Sequence, residues 1–252
     1  MSADAVAVTW SGDPVVSELF NQPAVEGRRL ELGAGTTLYE PGTPAEKLYY
    51  VQRGQVRIYQ LGPDGEGRLL EILGPGNWFG CAALSPTRTY ATRAVTVGKA
   101  VVTEASAEKL LAAMAQAPQA AAALIQQLAF GIQAAREDAA RLVFDDCNQR
   151  LVKTLLRFSR SAAATQRPDG QGVVLHITHE QLAQAIGVAR ETVSLALTEM
   201  RLQNLVRTGR NQLSFDPEAL RNFTARATTT NGNGRRERTT NVIEREVEQQ
   251  VA

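Results

Sequence analysis

The chain has 252 residues, more than one average domain needs, and 44% of them are hydrophobic, enough to support real cores. Lys+Arg number 27 and Asp+Glu 26, a formal net charge of +1, so no global field advertises a nucleic-acid or membrane partner and any basic surface must be local. The only cysteines are Cys81 and Cys147, too few for an iron–sulfur cluster, which takes about four thiolates, and the only histidines, His176 and His179, lie far along the chain from both, which argues against zinc.

The N-terminus, MSADAVAVTWSGDP, lacks the basic start and apolar centre of a secretory signal. No apolar run approaches the ~20 residues of a membrane span, so a cytoplasmic location without a membrane partner is expected. Residues 1–25 show no clear period and read as a loose lead-in. From Arg28 to Ala105 short apolar runs are broken by turns, and Val56 and Ile58 alternate with Gln55 and Arg57 as in a half-buried strand. Gly42, Gly54, Gly62, Gly65, Gly74 and Gly76 punctuate the segment, and Pro63-Asp64-Gly65 makes a turn. Residues 26–117 are therefore expected to form a jelly roll of many short strands.

The period then changes. Pro118 suits a helix's first turn. After it Ala121, Ile125, Leu128, Ile132, Ala135, Ala139 and Leu142 recur at spacings of four and three, flanked by Gln126, Gln127, Gln133, Arg136 and Glu137. This heptad stripe predicts a long helix over residues 118–144 that joins two copies of the chain into a parallel dimer. The alternative, one helix lying on the β domain, calls for a wider stripe.

Residues 145–224 form a second unit. NQRLVKTLLRFSRSA is amphipathic and helical, and VVLHI is a strand. Thr178 and Gln181 match a capping box that opens the helix HEQLAQAIG, and Gly187 closes it. VARETVSLALTEMRLQNL makes the next helix and VRTGRNQLSF a small hairpin. Helix, tight glycine turn, helix and hairpin make a winged helix-turn-helix. Residues 225–252 are polar with few apolar anchors and read as a disordered tail.

The second helix of such a unit enters the major groove with its N-terminal residues on base edges. Arg190 can fork onto a guanine, and Glu191 can accept from a cytosine amino group. Thr178, His179, Thr192, Arg207 and Arg210 supply phosphate contacts that fix register, and they form the local basic patch that the balanced charge requires.

Three segments in this order, the glycine-punctuated roll, the long helix running into FDDCNQRLVKTLL, and ITHEQLAQAIGVARETVSLALTEMRLQNLV with its G-x-x-R-E-T-V, resemble the CRP/FNR family of bacterial transcription regulators over roughly residues 25–224. The resemblance implies an α+β chain: an N-terminal β jelly roll like a cyclic-nucleotide-binding domain, a long dimerisation helix and a C-terminal winged helix-turn-helix. It also implies a homodimer on two-fold symmetric double-stranded DNA that acts on RNA polymerase, as an activator or by blocking it. Ser194 resembles the oxygen-sensing branch and is assigned to the DNA contact with Arg190 and Glu191. The loop GPDGEGR sits where some members touch sigma factor.

In the family a glycine-led short helix and an Arg-Ser or Arg-Thr pair hold a cyclic-nucleotide phosphate. Gly80 and Arg88-Thr89 match that half of the signature, and a helix N-terminus with a guanidinium suits a small anion. The other half departs. Cyclic-AMP-binding members place a glutamate after the glycine, where this chain has Cys81, and contact adenine from the long helix with Thr and Ser, where it has Ala135 and Arg136. These losses argue against cyclic AMP in the familiar pose, because buried ligand groups would go unpaired. Arg136 presents a second cation to a carboxylate or phosphate, or else is an exposed helix arginine. Cys81 is either a redox-sensitive thiol with its pKa lowered by the turn N-terminus or a buried inert one. Haem lacks its usual Cys–His pair, since no histidine precedes His176, and Gly131 and Arg136 do not match a 2-oxoglutarate sensor. The effector is therefore unknown, and a regulator without one is an open alternative. Cupin-type catalysis needs histidines in the barrel, where this chain has none, and no Ser-His-Asp arrangement can be built there, so an enzyme is not expected. A cyclic-nucleotide-binding regulatory subunit of another protein would not need the complete helix-turn-helix.

Overall fold

A computed structural model of the chain describes residues 14–223, and the side chains of residues 130, 138 and 141–144 stand outside that description. Val16, Leu19 and Phe20 fall at helical spacing, and they anchor a helix, α1 (Pro14–Asn21), by burying themselves in the first core. The lead-in expected over residues 1–25 is thus ordered in its described part, because those three side chains, with Val25 behind them, find apolar partners in the roll and its helices. The tail expected over residues 225–252 lies outside the described residues.

Six antiparallel strands make the roll: β1 (Arg28–Leu32), β2 (Thr37–Tyr39), β3 (Lys47–Leu61), β4 (Gly67–Leu73), β5 (Trp78–Phe79) and β6 (Arg93–Ser106). Their order is β1-β6-β3-β4, with β2 on β6 and β5 on β3. The paired strands β3 and β6 are long, and their register slips between Val51 and Gln55. Gly54 lies at that slip with φ +83°, and a Cβ there would sit 2.4 Å from Lys99 O, so the chains close up only at glycine. Leu48, Val51, Val56, Leu73 and Val102 fill the interior, and Leu110 of α2 (Ala107–Gln116) joins them. Glu104, 8% exposed, is held by Arg28 at 2.7 Å and Lys47 at 3.1 Å, which pairs its charge.

The long helix α3 (Pro118–Phe144) follows. Ala120, Ala123 and Leu124 pack into the roll's core, and Trp78 Nε1 donates to Gln127 Oε1. On another face Ile125 is 63% and Ile132 56% exposed, with Ala135 and Ala139 exposed along the same stripe. Two members of the expected seam differ. Ala121 is half-buried, and Leu128 packs partly against the protomer's own N-terminal core, because α3 lies against α1 and α2. The Leu142 side chain lies outside the described residues.

The C-terminal unit opens with α4 (Cys147–Phe158), whose cap is a reciprocal box between Asp146 and Gln149. Then come β7 (Ala164–Gln166), β8 (Val173–Leu175), α5 (His179–Ile186), α6 (Arg190–Leu202), β9 (Val206–Gly209) and β10 (Gln212–Phe215). The wing is a four-stranded sheet ordered β7-β8-β10-β9, one strand more than the sequence reading, since β7 carries no pattern of its own. Leu151, Leu155, Phe158, Leu182, Val193, Leu197 and Leu213 form its core.

The two units share a buried contact through β4. The register slips between Ile58 and Tyr59, leaving Leu70 as an extra residue, and Leu69 and Ile72 join the C-terminal core. The Leu70 carbonyl accepts from Arg157 Nη1 at 3.1 Å. Gly74 admits the turn after α4 so closely that an added Cβ would lie 2.3 Å from Ala162 Cβ. This contact corrects the half-buried reading of β3: Arg57 is only 6% exposed, and it stands opposite Ile72 on the covered side.

Candidate DNA interface and effector pocket

Helix α5 starts because Thr178 Oγ1 accepts from Gln181 N at 3.1 Å while Gln181 Oε1 accepts from Thr178 N at 3.0 Å. It stops at Gly187, whose φ of +70° belongs to the left-handed region. That turn aims α6 outward. Val193, Ala196, Leu197 and Met200 hold its inner side in the core. The opposite side carries Arg190, Glu191 and Thr192 exposed in the first turn, Ser194 half-buried beside them, and Leu195 69% exposed. The β9–β10 hairpin sets Arg207 and Arg210 in the open, the latter at the tip beside Asn211 with φ +57°. Thr178 and His179 sit half-buried at the start of α5.

The side chains interlock in a way that spacing alone does not reveal. His179 Nδ1 lies 3.0 Å from Ser194 Oγ, and Ser194 Oγ reaches back to Arg190 O at 3.1 Å. Partial burial, and then the charge of Arg190, push the His179 pKa below the ordinary histidine value. Ser194, expected at a base, and His179, expected at a phosphate, are thus one hydrogen-bonded unit. Arg190 and Glu191 point a donor fork and an acceptor toward whatever meets the helix end, which is the chemistry of guanine and cytosine edges in the major groove.

In the roll, Gly80 has φ +89° and precedes a four-residue 3-10 turn, Cys81–Leu84, the short helical turn expected there. A Cβ at Gly80 would lie 2.9 Å from Lys47 O. Arg88 closes the following loop with φ +42°, its N–H on Ser85 O at 3.2 Å and its carbonyl accepting from Ala45 N at 2.8 Å. Its guanidinium is exposed and has no hydrogen bond or ion pair among the described residues. Thr89 pairs with Pro44 as an isolated bridge, and its hydroxyl donates to Thr87 O at 3.0 Å. Gly80, Cys81, Arg88 and Thr89 therefore share one loop region of the roll. Ala135 and Arg136 do not join it within the protomer: both lie exposed on α3, and Arg136 has no ion pair among the described residues.

The wall behind that loop is aromatic. Tyr39 stacks on Tyr90 with centroids 3.9 Å apart, Tyr49 stacks on Phe79 at 5.1 Å, and Tyr90 OH donates to Lys47 O at 2.6 Å. These rings come from four separate stretches, so no local pattern in the sequence brings them together. Burial raises the pKa of all three tyrosines, keeping them as neutral phenols. Cys81 departs from the lowered value its turn position implies. Cys81 is exposed, so the buried alternative does not hold, yet desolvation by the surrounding loop and then the Glu71 carboxylate push its pKa up, and the backbone hydrogen bonds at Cys81 and Ala82 oppose this without prevailing.

No helix among the described residues is long and apolar enough to cross a membrane. Residues 29–117 match the family model of the cyclic nucleotide-binding domain, and residues 149–223 match that of the Crp-like helix-turn-helix domain. The chain is 29% identical over 187 residues to the CRP-like cAMP-activated global transcriptional regulator of Mycobacterium tuberculosis strain H37Rv, covering 74% of this chain and 83% of that one. It is 30% identical over 174 residues to the cAMP-activated global transcriptional regulator CRP of Salmonella typhimurium, covering 68% of this chain and 81% of its relative. Among solved structures, the c-di-GMP-responsive global regulator CLP of Xanthomonas campestris aligns with a TM-score of 0.65 at 26% identity, over 81% of this chain and 99% of that one. The two relatives are transcriptional regulators.

Proposed function

The chain belongs to the CRP/FNR family of transcription regulators, and from that premise we propose that it works as a cytoplasmic homodimer that reads an inverted-repeat DNA site and acts on RNA polymerase. The observation that carries the reading is the free first turn of α6, with Arg190, Glu191 and Ser194 on one face and its apolar side locked in the core. Arg190 takes a guanine and Glu191 a cytosine of a GTGA-like half-site, while Thr178, His179, Thr192, Arg207 and Arg210 grip phosphates. Leu195 offers only apolar contact, which suits a thymine methyl and cannot fork onto a guanine. The dimer joins through Ile125, Ile132, Ala135 and Ala139, and its two-fold axis sets the half-sites about one helical turn apart. Selection from a random DNA library tests this directly. An inverted repeat whose core depends on Arg190 and Glu191 is expected, and a motif without two-fold symmetry would refute the docking.

The effector reading is narrower. The roll keeps a cation, Arg88, and the Gly80 turn for a small anion, but Cys81 replaces an acceptor that a ribose hydroxyl would need. We therefore assign the site to an anionic effector other than cyclic AMP in its familiar pose. Native mass spectrometry of protein purified from its own host is the test. A chain that retains no small molecule, and binds DNA without one, would establish an effector-independent regulator instead.

A further inference from the structure

His179 stands first in α5, and its ring crosses to α6, where Nδ1 lies 3.0 Å from Ser194 Oγ. Ser194 Oγ lies 3.1 Å from Arg190 O. A serine hydroxyl has one proton to give. The Arg190 carbonyl can only accept, so that bond uses the proton. The contact to His179 is then a hydrogen bond only if Nδ1 donates. With Nδ1 protonated, Nε2 of the neutral ring is a bare acceptor. A DNA phosphate is an acceptor too, and the two cannot bond until Nε2 gains a proton.

We propose that His179 is a positioning residue that ties base reading to phosphate grip through a proton: Nδ1–H holds Ser194 and the first turn of α6, and DNA binding loads Nε2 with one proton at each half-site. The proposal rests on the DNA interface described above. The proton comes from solvent and returns to it on release.

The surroundings support this. On α6 the neighbouring charge is Arg190, and on α5 itself Glu180 stands next in the chain. Helix α4 brings Arg150, bound to Ile186 O at the far end of α5, and Lys153, bound to Asp145. Strand β4, packed on α5, carries Arg68 and Glu71. The lead from β8 carries His176, whose Nε2 lies 3.3 Å from Thr165 Oγ1. Of these charges, Arg190 acts on the His179 ring, and with partial burial it favours the neutral form in the free protein. A phosphate beside Nε2 opposes both effects and raises the pKa in the complex. A higher pKa in the bound state means that affinity is greatest below the free-state value, and is lost as pH rises through the bound-state value.

The experiment is fluorescence anisotropy of the full chain on its selected DNA site, from about pH 6 to about pH 8.5 at fixed ionic strength. Wild-type affinity should fall as pH rises, by up to about tenfold per pH unit per half-site. His179→Gln, which keeps a donor near Nε2 without titrating, should flatten the profile and relax base preference beside Ser194. His179→Asn, which keeps a donor near Nδ1, should also be flat but should restore that preference. His176→Gln should keep the wild-type slope. A flat wild-type profile, a slope that survives in His179→Gln, or one abolished by His176→Gln would overturn the proposal. Binding with a flat profile removes only this inference, whereas no binding at any pH removes the DNA interface with it.

Discussion

Replacing Ile132 with glutamate tests the dimer where the chain's own fold has least at stake. Ile132 is 56% exposed and Ile125 63% exposed on the single protomer, while the side of α3 that serves the roll is buried at Ala120, Ala123 and Leu124. Full burial of an isoleucine stabilises by about 1.5–3 kcal/mol, so covering the exposed fraction of each is worth about 1–2 kcal/mol. A two-fold dimer covers four such side chains, or about 4–7 kcal/mol, which is about 10³–10⁵ in the dissociation constant. Ile132→Glu forfeits about half of that and sets two carboxylates against each other in a dry seam, at a further cost of several kcal/mol. The expected result is a monomer at concentrations where the wild type is dimeric, read by sedimentation equilibrium, with DNA affinity lost in parallel. The protomer should still melt cooperatively, because the side chain has no share in its core, while the melting temperature falls by the dimer's mass-action contribution and loses its dependence on protein concentration. Leu128→Glu would be a poorer test, since Leu128 also packs on the protomer's own N-terminal core and its loss would unsettle the protomer. An Ile132→Glu protein with the wild-type dimer constant would show that the exposed isoleucines of α3 lie outside the interface.

Three other substitutions separate the parts of the molecule. Glu191→Ala should lose about 1–3 kcal/mol of discrimination at a single base pair in a competition assay, with affinity for non-specific DNA nearly unchanged. Arg88→Ala should remove the response to any anionic effector while leaving the fold intact, because its guanidinium is exposed. Unchanged DNA affinity with and without host extract would instead point to a regulator that uses no effector there. Gly74→Ala places a methyl 2.3 Å from Ala162 Cβ, where neither group can rotate aside. The overpacking should cost about 1–3 kcal/mol and raise hydrogen exchange along β4, leaving exchange in the first turn of α6 unaffected. Unaltered melting and exchange would show that the β4 contact gives way freely.

What the sequence made legible is what adjacent residues decide among themselves. Thr178 and Gln181 cap each other three positions apart, Gly187 supplies a left-handed turn, and Val193, Leu197 and Met200 recur on one side of a helix; none of these needs a distant partner to be read. The exposed residues proposed to face DNA follow from them, because once α6 has an inner side its outer side is fixed. The roll was legible as strands but not as an aromatic cluster, since Tyr39, Tyr49, Phe79 and Tyr90 meet only after β2, β3, β5 and the loop before β6 have come together. Helix α1 left a short signal, Val16, Leu19 and Phe20, over eight residues, which is too few for a period to stand out. The heptad stripe on α3 gathered Leu128 with Ile125 and Ile132 because a period of 3.5 finds an apolar stripe without saying what covers each edge, and here the protomer's own N-terminal core takes part of it. β4 is the plainest failure. In a regular strand Leu69 and Ile72, three apart, point to opposite faces. The extra residue at Leu70 turns both toward the C-terminal unit, and frees the carbonyl that Arg157 takes. A bulge is defined by the partner strand's count as much as by its own, so RLLEIL alone could not announce it. The same strand is therefore where the effector domain and the DNA-binding domain touch through a local departure from alternation, a coupling that belongs to the pairing of β3 with β4 rather than to either segment.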